Sequence, residues 1–565
     1  MKPKHLLPIL LTLSFALGAC AGTQATVVPP TSAPSNTTAQ PTPVATTEPV
    51  IMRLAWLGEV DTLNPAYAFF GTSYTIFDLV YSSLLKEGLD GKYYGDLAQA
   101  WTRSDDNLTW TFTLKDNIQW HNGEPFTAGQ LAWIINEVRA DPEGWATLYN
   151  YTGGFKDVTA PDDKTLVIAL DYPIGNMEYR MSFLYAMYPP DYEPLDTIEK
   201  LQNFQNENLV GTGAFKLNRF DKDNALIVLD ANLNFYDGRP IIDGVIFQKF
   251  DNSDAMVQAL KVGDVDVLTE IPSSAFKTVT GFENVEAVNL RGRAFDELIV
   301  NSTRLDNDPA PTGHPALRDP QVRQAIAQAI NHQDLIDIVY QGLARPAWSI
   351  VSPQLGNGFW HNDAITPPTF DLAKANQILD EAGYVKDADG IRVKDGLRLE
   401  FRLQYDADYP EYARDADLIA GWLREIGMEA TPEAMDYNTL IEATTGIGDY
   451  DLVIWGWGGD PDPDFILSIM LCDQFVVGGW SDSGYCNPEY DQLYLDQQQA
   501  ADPAERQKII YKMQELLFRD KPYIPLYNYD NLYAYRSDRF TNFQLDAPSP
   551  SIADTLVLQD VQPVK

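Results

Sequence analysis

The stretch from Leu97 to Ala128 constrains the fold of this chain more than any other. A polar turn at 105–107 precedes an alternating strand from Leu108 to Leu114, and a second turn follows at Asn122-Gly123. Thr127 then occupies the position of an N-cap residue, and apolar residues recur after it at helical spacing. The pattern predicts a strand between two turns, followed by a capped helix.

The same stretch resembles the signature of the family 5 extracellular solute-binding proteins, the oligopeptide, dipeptide and nickel binders of ABC importers. It contains Leu-Ala-Gln-Ala-Trp, then Phe-Thr-Leu, then Trp-His-Asn-Gly-Glu-Pro-Phe-Thr-Ala, in the order of that signature. Further segments resemble the family in the same order, at 158–170, 209–217, 232–240, 259–266, 319–330, 370–384, 487–491 and 524–526. The resemblance covers essentially all of residues 51–560.

The resemblance implies an α/β, two-lobed periplasmic-binding-protein-like fold (type II, cluster C) with an extra domain inserted in lobe I. It also implies a division of the chain, with lobe I at 50–90, 206–292 and 526–565, the extra domain at 91–205, and lobe III at 293–525. Strand patterns near Arg291–Asn301 and Pro522–Tyr529 predict two crossings between the lobes. Two crossings would form a hinge that closes on ligand.

The N-terminal segment predicts export and anchoring. Residues 1–20 begin with two lysines and continue into an apolar run, Leu6 to Leu17, that is too short to span a bilayer. Leu-Gly-Ala-Cys20 resembles the bacterial lipobox, which implies lipidation of Cys20, with ordinary signal cleavage nearby as the alternative. Residues 21–49, rich in Thr and Pro, predict an extended tether. We expect an extracytoplasmic protein held at the cell membrane by its N-terminal lipid, in a periplasm or on the outer cell surface.

The segment from Trp455 to Phe465, Trp-Gly-Trp-Gly-Gly-Asp-Pro-Asp-Pro-Asp-Phe, is the predicted ligand site. It follows an apolar run, Tyr450 to Trp455, that predicts a buried strand. Indole faces supply flat contact and attract cations, and carboxylates accept strong hydrogen bonds from charged donors. A solvated acidic turn with one Trp in the core is the alternative.

The resemblance implies a role for Asp460. In peptide-binding relatives, a Trp-x-x-Asp after a lobe III strand holds the α-ammonium group of the peptide, and Trp457-Gly-Gly-Asp460 has that spacing. Counting from Trp455 instead puts Gly458 in the acidic position and leaves the motif unfilled. Asp462 is the alternative anchor.

Further site residues are predicted with less support from the motif. Arg293, near the predicted hinge, is a candidate partner for a ligand carboxylate, and a surface Arg is the alternative. Tyr74, Trp480 and Tyr527 are candidate pocket walls, with core packing as the alternative for each. Asp464 is expected to cap a helix that starts at Phe465.

Cysteine and histidine placement limits the other chemistry. Cys472 and Cys486 enclose a short loop and could form a disulfide outside the reducing cytosol, with two free thiols as the alternative. The five His residues have no metal-ligand spacing, so we expect neither a resident metal nor a cofactor. A metal carried as a chelate stays open as cargo.

The net charge of the chain argues against nucleic acid as a partner. The chain has 41 basic and 80 acidic residues, a net charge of −39. Nucleic-acid binding needs clustered Lys and Arg, so no nucleic-acid partner is expected.

The expected function follows from the family resemblance. It implies a monomeric receptor that binds solute between its lobes, delivers it to the transmembrane subunits of an ABC permease, and catalyses no reaction. Peptide is the first expected cargo, and an oligosaccharide or a nickel chelate is the alternative. A secreted hydrolase using Asp460 and Asp462, and an adhesive lipoprotein, are the competing classes.

Overall fold

The computed structural model describes residues 48–222, 224–303, 311–445, 447–476, 479–545 and 551–564. The predicted signal peptide, the lipidation site Cys20 and nearly all of the predicted tether lie outside the described residues. The described part of the chain contains parallel and antiparallel strands together with helices.

The strands are β1 Ile51–Trp56, β2 Leu85–Glu87, β3 Tyr93–Gly95, β4 Ala98–Arg103, β5 Thr109–Leu114, β6 Phe155–Asp162, β7 Thr165–Leu170, β8 Phe215–Asp221, β9 Leu226–Ala231, β10 Gly244–Lys249, β11 Val267–Leu268, β12 Val285–Arg291, β13 Phe295–Val300, β14 Ala344–Pro346, β15 Val385–Lys386, β16 Arg392–Lys394, β17 Leu397–Arg398, β18 Glu400–Asp406, β19 Glu429–Met435, β20 Leu452–Trp457, β21 Tyr523–Arg536, β22 Phe540–Thr541 and β23 Gln562–Pro563.

The helices are α1 Gly71–Val80, α2 Ala128–Ala140, α3 Met177–Phe183, α4 Pro189–Tyr192, α5 Ile198–Gln202, α6 Ser253–Val262, α7 Ser273–Val279, α8 Pro320–Ala329, α9 His332–Asp334, α10 Leu372–Glu381, α11 Pro410–Glu425, α12 Tyr437–Thr444, α13 Asp464–Ser468, α14 Pro488–Gln499, α15 Pro503–Asp520 and α16 Thr555–Asp560. Single 3₁₀ or π turns lie at Tyr149–Thr152, Pro315–Arg318, Leu335–Val339, Leu355–Gly358 and Cys472–Gln474.

One large mixed sheet organises the molecule. Its strand order is β19-β18-β20-β13-β21-β11-β1-β10-β9-β8, and β12 and β14 also pair with β21. The part formed by β13, β18, β19 and β20 comes from residues 295–457, and the part formed by β1 and β8 to β11 comes from residues 51–268. The long strand β21 belongs to both parts.

Two segments pass between these two parts of the sheet. The first half of β21 pairs with β13, and its second half pairs with β12, from Arg291↔Asp530 to Val285↔Arg536. The chain itself passes from β12 to β13 through the short segment at 292–294. These crossings lie side by side in the ranges predicted from the strand patterns.

A separate four-stranded antiparallel sheet, in the order β4-β5-β7-β6, carries α2 on one face. The Thr127 side chain accepts a hydrogen bond from the backbone N–H of Gln130, and the Gln130 side chain accepts one from the Thr127 N–H. This capping box confirms the predicted start of the helix. Buried side chains of this sheet join the core beneath β1 and β8 to β10, so the two regions share one hydrophobic cluster.

Two predicted elements end at different residues in the structure. Apolar residues recur at helical spacing from Ile76 to Leu85 in the sequence, which alone would predict one helix, but α1 ends at Val80 and Leu85 pairs in β2. The strand predicted at Tyr450 to Trp455 is β20 and continues to Trp457, because β13 pairs with it along its whole length. The ends of both elements depend on pairing with another strand, which a local apolar pattern does not reveal.

Candidate functional site

The loop that follows β20 carries Asp460. β20 lies between β13 and β18 in the main sheet, so the start of this loop is held from both sides. A Cβ added at Gly459 would lie 2.7 Å from the backbone carbonyl carbon of Arg293, so only glycine permits this approach. The loop therefore lies against the segment that crosses between the two parts of the sheet.

The Asp460 carboxylate has one hydrogen-bonding partner and no ion pair within the described ranges. The Tyr179 hydroxyl donates to its Oδ2 at 2.9 Å. The Tyr179 ring contacts Tyr151 and Phe183, with centroid distances of 5.8 and 5.0 Å. Asp460 as a whole residue is half-buried.

Burial changes the ionisation of Asp460. Desolvation is the main reason that the pKa of Asp460 is raised to about 6. The Tyr179 hydrogen bond and the charge of Arg293 oppose that rise in pKa, whereas Asp462 and Asp464 add to it. A ligand cation would stabilise the charged carboxylate and lower this pKa again.

Asp462 does not provide a second free carboxylate. Its two oxygens accept hydrogen bonds from Arg506 at 2.5 and 2.6 Å, and both side chains are almost fully buried. The prediction of Asp462 as the alternative ligand anchor is therefore wrong, because a bidentate guanidinium already neutralises it. The pair connects the loop to α15.

Asp464 also has a different role from the one predicted. It is the first residue of α13 and accepts a hydrogen bond from the Gln497 side chain at 2.6 Å. The backbone N–H of Asp464 instead donates to Asp462 Oδ1 at 2.9 Å. Asp462 thus satisfies a donor at the start of this helix.

Arg293 is occupied by a protein carboxylate. Its Nη1 and Nη2 atoms donate to the two oxygens of Glu87 at 2.9 and 2.5 Å. The prediction that Arg293 pairs with a ligand carboxylate is therefore contradicted, because both terminal nitrogens already have a partner. The pair joins β2 to the crossing segment beside Asp460.

The two tryptophans of the predicted motif have different surroundings. Trp455 is half-buried and its ring lies 5.7 Å from that of Tyr437, which is 42% exposed. Trp457 is also half-buried and contacts Phe465 at 6.0 Å. Both tryptophans pack against the same hydrophobic cluster, so each indole has protein on part of its surface.

The three candidate pocket walls have different surroundings. Tyr74 is half-buried, contacts Phe77 edge-on and donates to the Ala68 carbonyl at 3.0 Å. Trp480 contacts Phe465 at 5.4 Å. Tyr527 is fully buried and donates to Asp415, so its prediction as a pocket wall is wrong.

The structure adds residues that the sequence did not single out. Tyr151 and Tyr179 come from the region before β8 and lie beside Asp460. Tyr409 is 53% exposed near the end of β18 and, with Tyr437, adds accessible aromatic surface. Tyr occurs 29 times in the chain, and no motif distinguishes these four residues.

A cavity of about 200 Å³ lies beside the loop, and Pro461 and Arg293 form part of its wall. We call it the acidic cavity, because its charged lining residues are Asp78, Glu87, Asp96, Asp554, Lys86 and Arg293. Burial raises the pKa values of Asp96 and Asp554.

Other predicted features are reported for the described residues alone. Cys472 and Cys486 are joined in a disulfide. No group of three or more His, Cys, Asp or Glu side chains in the described ranges is arranged to hold a metal ion. Among the helices that the structure describes, none has the length and apolar character needed to cross a membrane.

Sequence comparison finds a family match over most of the chain. Residues 92–475 match the model for bacterial extracellular solute-binding proteins, family 5, middle region. The dipeptide-binding protein DppE of Bacillus subtilis strain 168 is 25% identical over 504 residues, covering 84% of this chain and 86% of DppE. The oligopeptide-binding protein AppA of the same strain is 25% identical over 538 residues, covering 93% of each chain.

Structural comparison identifies the same fold in solved proteins. NikZ from Campylobacter jejuni, in complex with Ni(L-His), has a TM-score of 0.78 at 22% identity, covering 91% of this chain and 99% of NikZ. AppA from Bacillus subtilis, in complex with a nonapeptide, has a TM-score of 0.76 at 22% identity, covering 92% and 100%. The α/β, two-lobed binding-protein fold is confirmed.

Proposed function

This chain belongs to family 5 of the bacterial extracellular solute-binding proteins, and on that premise we propose that it is the peptide-binding receptor of an ABC importer. Cargo is enclosed between the lobes and passed to the transmembrane subunits of the permease. Family members are binding proteins, so the proposed mechanism is binding coupled to a shift between open and closed populations.

The Asp460 carboxylate is the observation that carries this proposal. It is half-buried, receives one neutral donor from Tyr179, and has no basic partner in the described part of the chain. A peptide α-ammonium group would supply the missing cation and form charge-assisted hydrogen bonds. Accessible aromatic faces of Trp455, Tyr409 and Tyr437 would contact apolar parts of the cargo.

Native mass spectrometry of the protein purified from its own host tests the cargo. A set of retained peptide masses is expected. Hexose multiples would overturn the peptide assignment in favour of an oligosaccharide, and a nickel-containing mass would favour a chelate, the ligand class in the NikZ complex. Incubation with the recovered peptides should return them intact, whereas cleavage products would contradict a receptor without catalysis.

The proposed closure brings the extra domain, expected at 91–205, onto lobe III, expected at 293–525. The Gly175 N–H donates to the Gln498 carbonyl at 2.7 Å, and the Arg103 side chain donates to the Ala501 carbonyl at 3.2 Å. The Tyr179 bond to Asp460 spans the same boundary. In this proposal these contacts form when cargo is enclosed.

Gly175→Ala should hinder closure. The added Cβ would lie 2.4 Å from the Ala500 carbonyl oxygen, which is a backbone atom and cannot rotate away. Because apparent affinity falls with the population of the closed state, we expect peptide binding to weaken about fivefold or more. Calorimetry measures the affinity, and small-angle scattering measures the contraction on binding.

Gly129→Ala is the matched control for that variant. Its added Cβ meets only the Thr127 hydroxyl oxygen, at an ordinary contact distance of 3.7 Å. We expect this control to bind and contract as the unmodified protein does. Equal behaviour of the Gly175→Ala variant would contradict the role of this contact in closure.

Peptide affinity should fall in acid. Burial raises the pKa of Asp460 to about 6, and only its charged form attracts an ammonium group. The affinity for peptide therefore has its maximum value above that pKa. It declines as the pH falls through the pKa, by about tenfold between pH 7.5 and pH 5. Calorimetry across this range measures the effect, and a flat profile would contradict it.

The membrane attachment is part of the proposal. Family members act outside the cytoplasm, and lipidation at Cys20, with residues 21–49 as a tether, would hold a monomeric receptor near its permease. Mass spectrometry of the N-terminal peptide tests this. A diacylglyceryl cysteine at position 20 is expected, and an unmodified N-terminus elsewhere would overturn the anchor.

A further inference from the structure

We propose that Asp296 is a positioning residue of the ligand site, and that its carboxyl group fixes the direction in which the loop that carries Asp460 leaves β20. In this proposal Asp296 does not contact the cargo. It acts through Gly456, the residue between Trp455 and Trp457. The inference rests on the proposed function, because it names a residue that sets the geometry of the same site.

Asp296 and Gly456 lie opposite each other in the main sheet. β13 and β20 are antiparallel, and these two residues are register partners. Residues directly opposite in an antiparallel pair have their side chains on the same face of the sheet. The Asp296 side chain therefore lies over Gly456, whereas the neighbouring Trp455 and Trp457 point to the other face.

The Asp296 carboxyl group fills the space that a side chain at position 456 would need. A Cβ added at Gly456 would overlap Asp296 Oδ1 and would lie 3.0 Å from the Tyr412 hydroxyl oxygen. Gly456 is part of the extended strand β20, so space and not backbone conformation requires glycine there. The carboxyl group and the glycine are complementary in shape.

Two tyrosines hold the Asp296 carboxyl group in this place. The Tyr340 hydroxyl donates to Oδ2 and the Tyr412 hydroxyl donates to Oδ1, each at 3.2 Å. Tyr412 lies on α11 and Tyr340 follows the turn at Leu335–Val339, so the two bonds link β13 to elements outside the sheet. Asp296 is only 2% exposed. A carboxyl group that is enclosed and bonded through both oxygens cannot turn away from Gly456 without losing these bonds.

The ionisation of Asp296 agrees with a local structural role. Desolvation raises the pKa of Asp296 to about 7, and hydrogen bonds from tyrosine hydroxyls oppose that rise. The charge of Glu411 adds to the rise, and no basic side chain in the described ranges forms an ion pair with Asp296. A buried carboxyl group without a base costs folding free energy. An apolar residue of similar volume would serve better if the position only filled the core.

The crossing segment contacts the loop a second time at Gly459. A Cβ added there would lie 2.7 Å from the backbone carbonyl carbon of Arg293. Asp296 and Arg293 thus fix the chain on both sides of Trp457, and Asp460 directly follows Gly459. A binding group has to be held to within about 0.5 Å of its productive position. Removal of the Asp296 carboxyl group should therefore weaken cargo binding without removing a cargo contact.

Hydrogen exchange followed by mass spectrometry tests the positioning role without a ligand. Asp296→Ala removes the carboxyl group from above Gly456. We expect amide exchange in a fragment that covers 456–463 to become about fivefold faster or more. Fragments from the separate four-stranded sheet should exchange as in the unmodified protein. Equally faster exchange in both regions would show general destabilisation and would overturn the positioning role.

Calorimetry with a free-amine peptide measures the consequence for binding. We expect Asp296→Ala to weaken the affinity about fivefold or more, within the range of coupling between residues in contact. Asp296→Asn should restore most of that loss, because asparagine has the same shape and its side-chain oxygen can accept from a tyrosine hydroxyl. If asparagine restores nothing, a role based on shape and hydrogen bonding is wrong.

A pair of compensating substitutions tests the contact with Gly456. Gly456→Ala alone should weaken peptide binding, because its methyl group overlaps the Asp296 carboxyl group. When Gly456→Ala is combined with Asp296→Ala, the methyl group can occupy the vacated space. The double variant should therefore bind more tightly than the sum of the two single losses requires. Additive losses would overturn the direct contact as the cause.

Asp266→Ala is the matched control. Asp266 is fully buried directly before β11, in the other part of the main sheet, and it pairs with Arg53 and Arg539. The side chains of these arginines are 31% and 40% exposed, so water can reach them after the substitution. We expect this control to show unchanged exchange at 456–463 and unchanged peptide affinity. A response like that of Asp296→Ala would overturn the specific role of Asp296.

The outcomes separate this inference from the proposed function. Unchanged exchange at 456–463 in Asp296→Ala would overturn the positioning role, and binding of peptide by the unmodified protein would still support the receptor. Failure of the unmodified protein to bind any free-amine peptide would overturn the proposed cargo. The exchange measurement would then still decide whether Asp296 holds the loop.

Discussion

Asp460→Asn is expected to raise the dissociation constant of a free-amine peptide about 10- to 100-fold, the value of one charge-assisted hydrogen bond. Asparagine keeps an oxygen that accepts from Tyr179, so the local structure should persist while the negative charge is lost. The effect therefore measures the attraction between the carboxylate and the α-ammonium group. Isothermal titration calorimetry with the same peptide and both proteins gives the ratio.

An N-acetylated peptide provides the control for this experiment. Acetylation removes the positive charge, so both proteins should bind the acetylated peptide equally weakly. The loss on acetylation and the loss from Asp460→Asn should therefore not add, as expected when two changes remove one interaction. Equal affinity of both proteins for the free-amine peptide would remove Asp460 from the ammonium site.

Arg506→Met should destabilise the protein by about 3–5 kcal/mol, because it leaves the carboxylate of Asp462 buried without its partner. The side chains of Arg506 and Asp462 are 1% and 6% exposed, so water cannot replace the lost guanidinium. Methionine keeps much of the apolar contact that Arg506 makes over the Trp360 ring. The difference in the free energy of unfolding, from urea titration, measures the effect.

Two further variants separate the buried charge from other consequences of this substitution. Lys508→Met breaks an exposed ion pair with Glu505 on the same helix and should change stability by less than about 1 kcal/mol. Adding Asp462→Leu to Arg506→Met removes the unpaired carboxylate and should restore most of the lost stability. If the double variant is as unstable as Arg506→Met alone, the uncompensated charge is not the cause.

The same ion pair links stability to the candidate site. It connects the loop that carries Asp460 to α15. On the other side of the loop, Arg293 is held by its ion pair with Glu87 on β2. Asp462 and Arg293, both predicted from the sequence as ligand contacts, are instead paired with protein side chains beside this loop. Among the described residues, Asp462 is the acidic residue of the motif with an ion pair, whereas Asp460 and Asp464 accept from the neutral donors Tyr179 and Gln497.

Several elements could be predicted because their determinants are neighbours in the chain. The capping box of α2 needs only Thr127 and Gln130, and β20 follows from a run of consecutive apolar residues after Tyr450. The family signature is likewise a set of short segments. The predicted spacing of Asp460 from Trp457 belongs to this class, although its role in binding stays a prediction.

The roles of Asp462, Arg293 and Tyr527 depended on distant residues. Their partners Arg506, Glu87 and Asp415 lie 44, 206 and 112 positions away in the chain. The local sequence around a polar residue does not show which distant residue will lie within 3 Å of it in the folded protein. The assignments from local context therefore failed at these three positions.

Short segments of the chain were sufficient to establish the family, the fold class and the start of α2, because local hydrogen bonding and apolar spacing act over a few residues. Folding of the whole chain determined which carboxylates are neutralised and which stay open, as in the contrast between Asp462 and Asp460. It also formed the acidic cavity from α1, β2, α3 and α16. Ion pairing and desolvation depend on distances in space, and those distances exist only after the sheet has brought these elements together.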